Sequence, residues 1–221
     1  EKYGYNFLQY DFPSFFCFSQ VVDGPFSKSW TAVTGKFGLA YQFNDDVMAY
    51  ASASRGYLSG GNIIGLARLY NPEGVWSYEA GLKSTFFQNR LQLNVAAYQA
   101  DISDLQVFIQ SAGDSRLDNA ASARVRGLEV EAVAYPVDNL RVDLTATLTD
   151  GVYEEYITQD GRYGAVPSPA CSLPGDLCDF SGNTLNQTPP YTFTLGAEYV
   201  FETTFGRIVP RADIFWSGEV Y

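Results

Sequence analysis

Between residues 140 and 149, hydrophobic and polar side chains alternate strictly: Leu140, Val142, Leu144, Ala146 and Leu148 against Arg141, Asp143, Thr145, Thr147 and Thr149. Successive residues of a strand point to opposite faces, so this segment has one apolar face and one wet, charged face. The same period of two recurs along the chain and predicts strands over about 33–43, 47–57, 76–86, 91–109, 123–135, 140–156, 191–201 and 207–221. In the first of these, Val33, Phe37, Leu39, Tyr41 and Phe43 share a face, and Thr34, Lys36 and Gln42 take the other. Over 47–57 both faces are small or mixed, and the pattern does not say which one is apolar.

The strands pair as hairpins through Asn44-Asp45-Asp46, Gln88-Asn89-Arg90, Pro136-Val137-Asp138-Asn139 and Glu202-Thr203-Thr204-Phe205-Gly206. Asn, Asp, Gly and Pro supply the backbone angles that short connections require. The remaining connections, 58–75, 110–122 and 157–190, are long and polar or rich in Gly and Pro. Tight turns therefore gather at one end and long loops at the other. A soluble sandwich has no reason to sort its loops this way, whereas outer-membrane barrels do. An eleven-residue strand at about 3.3 Å per residue, tilted by roughly 40°, reaches about 28 Å, close to the apolar band of such barrels at about 25 Å. The fold class expected is all-β: a transmembrane antiparallel β-barrel.

The wet face carries Glu79 and Lys83 on one strand, Glu129 and Glu131 on another, Arg141 and Asp143 on the next, then Glu198, Arg211 and Asp213. Facing hydrocarbon, each charge would cost up to about 2–4 kcal/mol near the midplane, so these residues are expected to face inward and line the lumen. Two readings of that lining stand side by side: a charge ladder that satisfies the interior, and a selectivity lining. A complete eight-strand barrel would be filled by its own side chains, and a larger one would leave a lumen. Composition does not choose between them.

The chain has 221 residues, with 16% aromatic and 18% charged. Its formal net charge of −11 speaks against nucleic acid as a partner, because phosphate binding needs a basic stripe. No apolar run approaches the ~18 residues of a membrane helix, so any crossing is made by strands. Glu1-Lys2-Tyr3 has neither the charged region nor the apolar stretch of a leader. Cys171 and Cys178, in a stretch rich in Pro, Gly, Ser and Asp, read as a loop disulfide, with a thiol metal site as the rival. The chain has no histidine and no second cysteine pair to complete such a site, and Cys17 is left to pair elsewhere.

Phe37-Gly38-Leu39-Ala40-Tyr41-Gln42-Phe43-Asn44-Asp45-Asp46-Val47-Met48-Ala49-Tyr50-Ala51-Ser52-Ala53-Ser54-Arg55-Gly56-Tyr57 resembles the mid-barrel signature of TonB-dependent outer-membrane receptors. Ser59-Gly60-Gly61-Asn62, Pro72-Glu73, Trp76-Ser77-Tyr78-Glu79-Ala80-Gly81-Leu82-Lys83-Ser84, Ala121 to Glu131 and Tyr191 to Tyr199 resemble its following blocks, in family order. The resemblance implies about eight strands of a 22-stranded barrel, a plug domain not contained in this chain, and uptake driven by the proton gradient through the TonB-ExbB-ExbD complex. It also implies that residues 1–32 are an aromatic-rich external loop.

That loop holds Tyr3, Tyr5, Phe7, Tyr10, Phe12, Phe15, Phe16 and Phe18, and Arg55, Arg68 and Arg116 fall near the external strand ends. Rings at loop tips suit apolar or sugar-like ligands and arginines suit anionic ones; loop-on-loop packing and solvated arginines are the alternatives. Without histidine there is no His-based triad and no ordinary zinc-hydrolase site, and no GxSxG, P-loop or dinucleotide fingerprint occurs. The expected protein is not an enzyme and calls for no cofactor or metal. It is a receptor of the bacterial outer membrane that meets outer-membrane lipid and imports a scarce, bulky nutrient: siderophore-iron, a vitamin or a glycan. A passive porin-like channel, or a soluble β-rich lectin or hydrolase, are the alternatives.

Overall fold

A computed structural model describes residues 28–62, 69–111, 114–159, 171 and 177–220. The strands are β1 (Gly35–Asn44), β2 (Val47–Leu58), β3 (Gly61–Asn62), β4 (Leu69–Tyr70), β5 (Glu73–Phe86), β6 (Leu91–Ser111) and β7 (Asp114–Ala134). They continue with β8 (Leu140–Gln159), β9 (Leu177–Asp179), β10 (Tyr191–Tyr199), β11 (Phe201–Thr203), β12 (Gly206–Ile208) and β13 (Arg211–Ser217). One antiparallel sheet runs β1-β2-β5-β6-β7-β8-β10-β13, each strand beside its neighbour in the chain, with β9 added to the far end of β8. The described residues contain no α-helix. The sheet is an open meander.

The short turns are built by the residues that suit them. The Asn44 side chain accepts from the Asp46 amide at 2.9 Å, an Asx turn between β1 and β2. Phe87, Gln88 and Asn89 all take positive φ between β5 and β6, and Asn139 does so before β8. Arg90 pairs with Asp138 across two neighbouring turns, and the Asn139 carbonyl accepts from the Val200 amide.

Register assigns every side chain to a face. One face carries Phe37-Ala53-Tyr78, Leu39-Ala51-Ala80-Ala97-Leu128-Leu148-Tyr191 and Tyr41-Ala49-Leu82-Val95-Val130-Ala146-Phe193-Trp216 as rows across the strands. The other carries Ser52-Glu79-Tyr98-Gly127-Thr149, Met48-Lys83-Asn94-Glu131-Thr145-Thr194-Phe215 and Asp143-Gly196-Asp213. The mixed strand β2 is settled by its partners: Ala49, Ala51 and Ala53 join the apolar face, and Tyr50, Ser52 and Ser54 the polar one.

It is the apolar face that is exposed: Phe37 at 67%, Leu148 at 58% and Trp216 at 61%. A soluble sheet hides that face. The buried apolar residues among those described are Ile109, Ala121, Ala123, Tyr153 and Cys178, all at the long-loop end. Leu140, Val142 and Leu144 therefore do not sit in a protein core, and their solvent is hydrocarbon.

The long-loop end departs from expectation. Segment 110–122, expected as a loop, is almost wholly paired: Gln106 to Ser111 lie against Asn119 to Asp114, so β6 and β7 form one tall hairpin. Of segment 157–190, residues 177–185 return along β8, first as β9 against Ile157 to Gln159, then through Tyr153 to Asn183, Val152 to Thr184 and Leu185 to Gly151 contacts. Cys171 and Cys178 are joined as a disulfide in this return. Segment 58–75 contains the small β3–β4 hairpin. The expected strand 207–221 is divided, because Pro210 has no N–H to give the ladder; β11–β12 form a separate hairpin and β13 begins after it.

Candidate functional site: a charged wall and its mouth

Glu79, Lys83, Glu129, Glu131, Arg141, Asp143, Glu198, Arg211 and Asp213 all fall on the polar face. They divide into two zones. In the first, the Tyr50 hydroxyl donates to Glu79 Oε1 at 2.5 Å and Lys83 Nζ stands 5.7 Å from the Tyr50 ring centroid. Asn94 donates to Glu131 Oε2 at 3.3 Å on the same face. Three carboxylates and one ammonium make this zone acidic.

Glycines let the tyrosines lie flat here. A Cβ on Gly81 would stand 2.7 Å from Tyr50 Cε1, and one on Gly127 would stand 2.7 Å from Tyr98 Cζ. The Tyr98 hydroxyl reaches on to the Thr149 hydroxyl at 3.3 Å.

The second zone is internally compensated. Arg211 forks onto Asp143 with Nη1 to Oδ1 at 2.9 Å and Nη2 to Oδ2 at 3.0 Å, and its Nε reaches Asp213 Oδ2 at 3.0 Å. Gly196 lies between Asp143 and Asp213 in register, and a Cβ there would meet Arg211 Nη2 and Asp143 Oδ2 at 2.5 Å. The bidentate geometry of a guanidinium on a carboxylate is available because the intervening strand offers no side chain. Arg141 stands 3.4 Å from Asp143, and Glu198 is in register with both Arg141 and Arg211.

At the long-loop end, an amide clamp ties segment 59–73 to the tall hairpin. Asn119 accepts from the Asn71 amide at 2.7 Å and donates to the Asn71 and Asp104 carbonyls. Gln106 donates to the Ser59 and Asn71 carbonyls, both at 3.1 Å, while its own amide donates to Glu73 Oε2 at 3.0 Å. Asp104 takes a positive φ at the bulge where this occurs. Higher on β8, Tyr153, Tyr156 and Phe180 form a ring cluster with centroids 4.7 and 5.6 Å apart. Burial, with Tyr153 beside it, pushes the Tyr156 hydroxyl above the ordinary tyrosine value.

Of the residues expected to meet ligand, Tyr3, Tyr5, Phe7, Tyr10, Phe12, Phe15, Phe16, Phe18 and Arg68 lie outside the described residues, as does Cys17. Arg116 has its backbone in β7 opposite Ile109. Arg55 faces the outer, apolar side, its guanidinium 5.5 Å from the Trp76 centroid, and does not join the polar face. The alternation pattern passed over Tyr50, Tyr98 and the clamp residues Asn71, Gln106 and Asn119. Each acquires its role from a cross-strand partner, and the glycine opposite each tyrosine was the available signal. Among the described residues no cluster of His, Cys, Asp and Glu could hold a metal ion.

The model of the TonB-dependent receptor-like β-barrel family matches residues 4–221. The metal-pseudopaline receptor CntO of Pseudomonas aeruginosa is 25% identical over 146 residues, which is 65% of this chain and 20% of that protein. The ferric yersiniabactin uptake receptor FyuA of Yersinia pestis superposes with a TM-score of 0.65 at 21% identity, over 85% of this chain and 26% of that one. The siderophore receptor PiuA of Acinetobacter baumannii gives 0.61 at 18% identity, over 85% and 26%. The chain thus spans about a fifth to a quarter of the length of these relatives. A wall with its apolar side outward and its charges on the opposite face, matched along nearly all its length, belongs to the TonB-dependent receptor family and forms part of its outer-membrane β-barrel.

Proposed function

We propose that the protein bearing this wall imports a chelated metal ion across the outer membrane, powered by the proton gradient through the TonB-ExbB-ExbD complex. The observation that carries the reading is a charged face backed by an exposed apolar one in a chain of this family, whose matched relatives are named as receptors for metal-pseudopaline and ferric yersiniabactin. In this proposal the polar face looks into the lumen of a 22-stranded barrel that houses a plug. Glu79, Lys83, Glu129, Glu131, Arg141, Asp143, Glu198, Arg211 and Asp213 line that lumen. The rings between Tyr3 and Phe18, with Arg68 and Arg116, meet the chelate at the mouth. Vitamin and glycan cargoes are the other members of the same class.

Uptake by the full-length receptor tests this. A strain lacking the gene is supplied with a panel of labelled ferric and divalent-metal chelates, cobalamin and oligosaccharides, with and without an uncoupler. Uptake of one metal chelate, lost on gene deletion and abolished by the uncoupler, is expected. Gene-dependent entry that persists with the gradient collapsed overturns the energy coupling and makes the barrel a passive channel.

A further inference from the structure

Segment 59–72 springs from the last pair of the β2–β5 ladder, Leu58 with Glu73. Its own β3–β4 hairpin has only two pairs, Gly61 with Tyr70 and Asn62 with Leu69. A two-stranded hairpin of that size has little stability by itself. What holds it is Asn71. As the residue before Pro72, Asn71 is kept extended, so its N–H and carbonyl are offered to other segments rather than to a local turn. Its amide donates to Asn119 Oδ1 at 2.7 Å, and its carbonyl accepts from Gln106 Nε2 and Asn119 Nδ2 at 3.1 and 3.0 Å. Its side-chain Oδ1 accepts from Lys28 Nζ at 3.0 Å.

Two features fit the partners to this hub. The β6–β7 ladder shifts register at Leu105 and Gln106, and the shift leaves the Gln106 amide for Glu73 and the Asp104 carbonyl for Asn119. On the other side, Gly60 makes room for a ring. A Cβ there would stand 2.8 Å from Trp30 Cζ2 and 2.9 Å from the Asn71 carbonyl carbon. The Trp30 indole nitrogen is buried with no hydrogen-bond partner among the described residues, and Lys28 Nζ lies 5.3 Å from the Trp30 ring centroid. Three stretches far apart in sequence, 28–30, 59–72 and the tall hairpin, thus meet at one residue.

This seam is weaker than the ladders beside it. β6 and β7 are joined by main-chain pairing from Leu91 to Ser111, whereas the clamp consists of side-chain bonds open to water. Segments with few contacts and exposed hydrogen bonds open at a small fraction of the global cost, and they open as cooperative units. We propose that residues 28–30 and 59–72 form one such unit, latched to the β6–β7 hairpin by Gln106 and Asn119, which releases and recloses while the wall stays intact. On release the two β3–β4 pairs melt and Trp30 leaves Gly60. The external rim therefore has two states, strapped and unstrapped. The device is built from the rim's own side chains and stands whether or not the chain imports a metal chelate.

The test uses the full-length receptor in lipid bilayers, isotope-labelled at tryptophan and asparagine, with hydrogen exchange of the Trp30 indole and the Asn71 amide followed by NMR. Exchange over 91–102 and 123–134 is followed in parallel by mass spectrometry. Gln106→Met removes the side-chain bonds to the Ser59 and Asn71 carbonyls and keeps both the bulk and the main-chain bond to Glu73. Both reporters are expected to lose protection by one common factor of at least about tenfold, which the loss of two neutral hydrogen bonds supplies, with the β6–β7 ladder unchanged. A second arm needs no substitution. In wild type under low urea, the two reporters are expected to lose protection along one common slope, well before global unfolding. Wild-type protection of both reporters in Gln106→Met, unequal factors, or a ladder that loosens with them would each overturn the proposal. So would two separate urea slopes, or a wild-type indole that exchanges as fast as free tryptophan.

Discussion

Gly127 is the position where a single methyl group should do most harm. A Cβ there would stand 2.3 Å from the Leu148 carbonyl oxygen and 2.6 Å from the Tyr98 hydroxyl. Replacing glycine by alanine inside a strand normally gains about 0.5–1 kcal/mol from the reduced freedom of the unfolded chain. At Gly38 that gain should appear, since a Cβ would meet only ordinary contacts at 3.6 Å. At Gly127 the gain is set against overpacking of about 1–3 kcal/mol, because the first obstacle is the backbone of β8, which is held in the ladder. The expected result for Gly127→Ala in the full-length receptor is a net loss of about 1–2 kcal/mol, and for Gly38→Ala a gain of up to about 1 kcal/mol. Urea unfolding followed by tryptophan fluorescence in lipid bilayers reads both. Adding Tyr98→Ala should return only part of the loss, since the Leu148 carbonyl remains in the way. Gly127→Ala with wild-type stability would refute the idea that the flat Tyr98 ring and the close β7–β8 approach both require glycine.

Three further outcomes follow from the same geometry. Val130→Arg places a charge in the outer apolar rows and should cost about 2–4 kcal/mol in a bilayer, whereas Glu131→Arg, one residue on and facing the other way, should cost less than half as much in the same unfolding assay. Asp143→Asn and Arg211→Gln should each destabilise modestly. Their double-mutant cycle should give a coupling of about 0.5–1 kcal/mol, since Arg211 and Asp143 remain 35% and 21% exposed; a coupling near zero would mean the fork is an idle surface pair. The Ser181 hydroxyl, and after it the Ser181 amide that donates to Asp179 Oδ1 at 2.9 Å, hold the Asp179 carboxyl below the usual aspartate range. A lowered folded-state pKa stabilises the turn above the unfolded value and is lost as pH falls through the folded one. The protection of the Ser181 amide, taken relative to its intrinsic exchange rate at each pH, should therefore fall only in acid, and Asp179→Asn should remove that acid step.

The membrane-spanning part of this fold was legible because two constraints act on every residue there: one face must be apolar, and the short turns must use Asn, Asp, Gly or Pro. Leu140 to Thr149 state both faces without ambiguity. Once the strands rise past Gln99, Arg126 and Asp150, neither face is obliged to be apolar, and the signal fades although the pairing continues. That is why Asp114 to Ser122 read as a loop and folds as strand. The strand β2 hid its faces for a different reason, since alanines outside and serines inside are nearly equal in hydropathy, and only partners such as Phe37 and Glu79 distinguish them. The nine wall charges were picked out by their two-residue spacing. That Arg211 would span Gly196 to reach Asp143 depends on β10 lying between β8 and β13, a fact of register rather than spacing. Arg55 was assigned by its height on the wall alone, and height does not distinguish inside from outside.

The ladder between β6 and β7 has a consequence for motion. It runs from Leu91 with Ala134 to Ser111 with Asp114, interrupted only around Leu105. A seam of that length admits no sliding or hinging without breaking many hydrogen bonds together, so this part of the wall behaves as a rigid stator. This part of the wall therefore moves as one piece, and local motion is left to the connections beyond its rim.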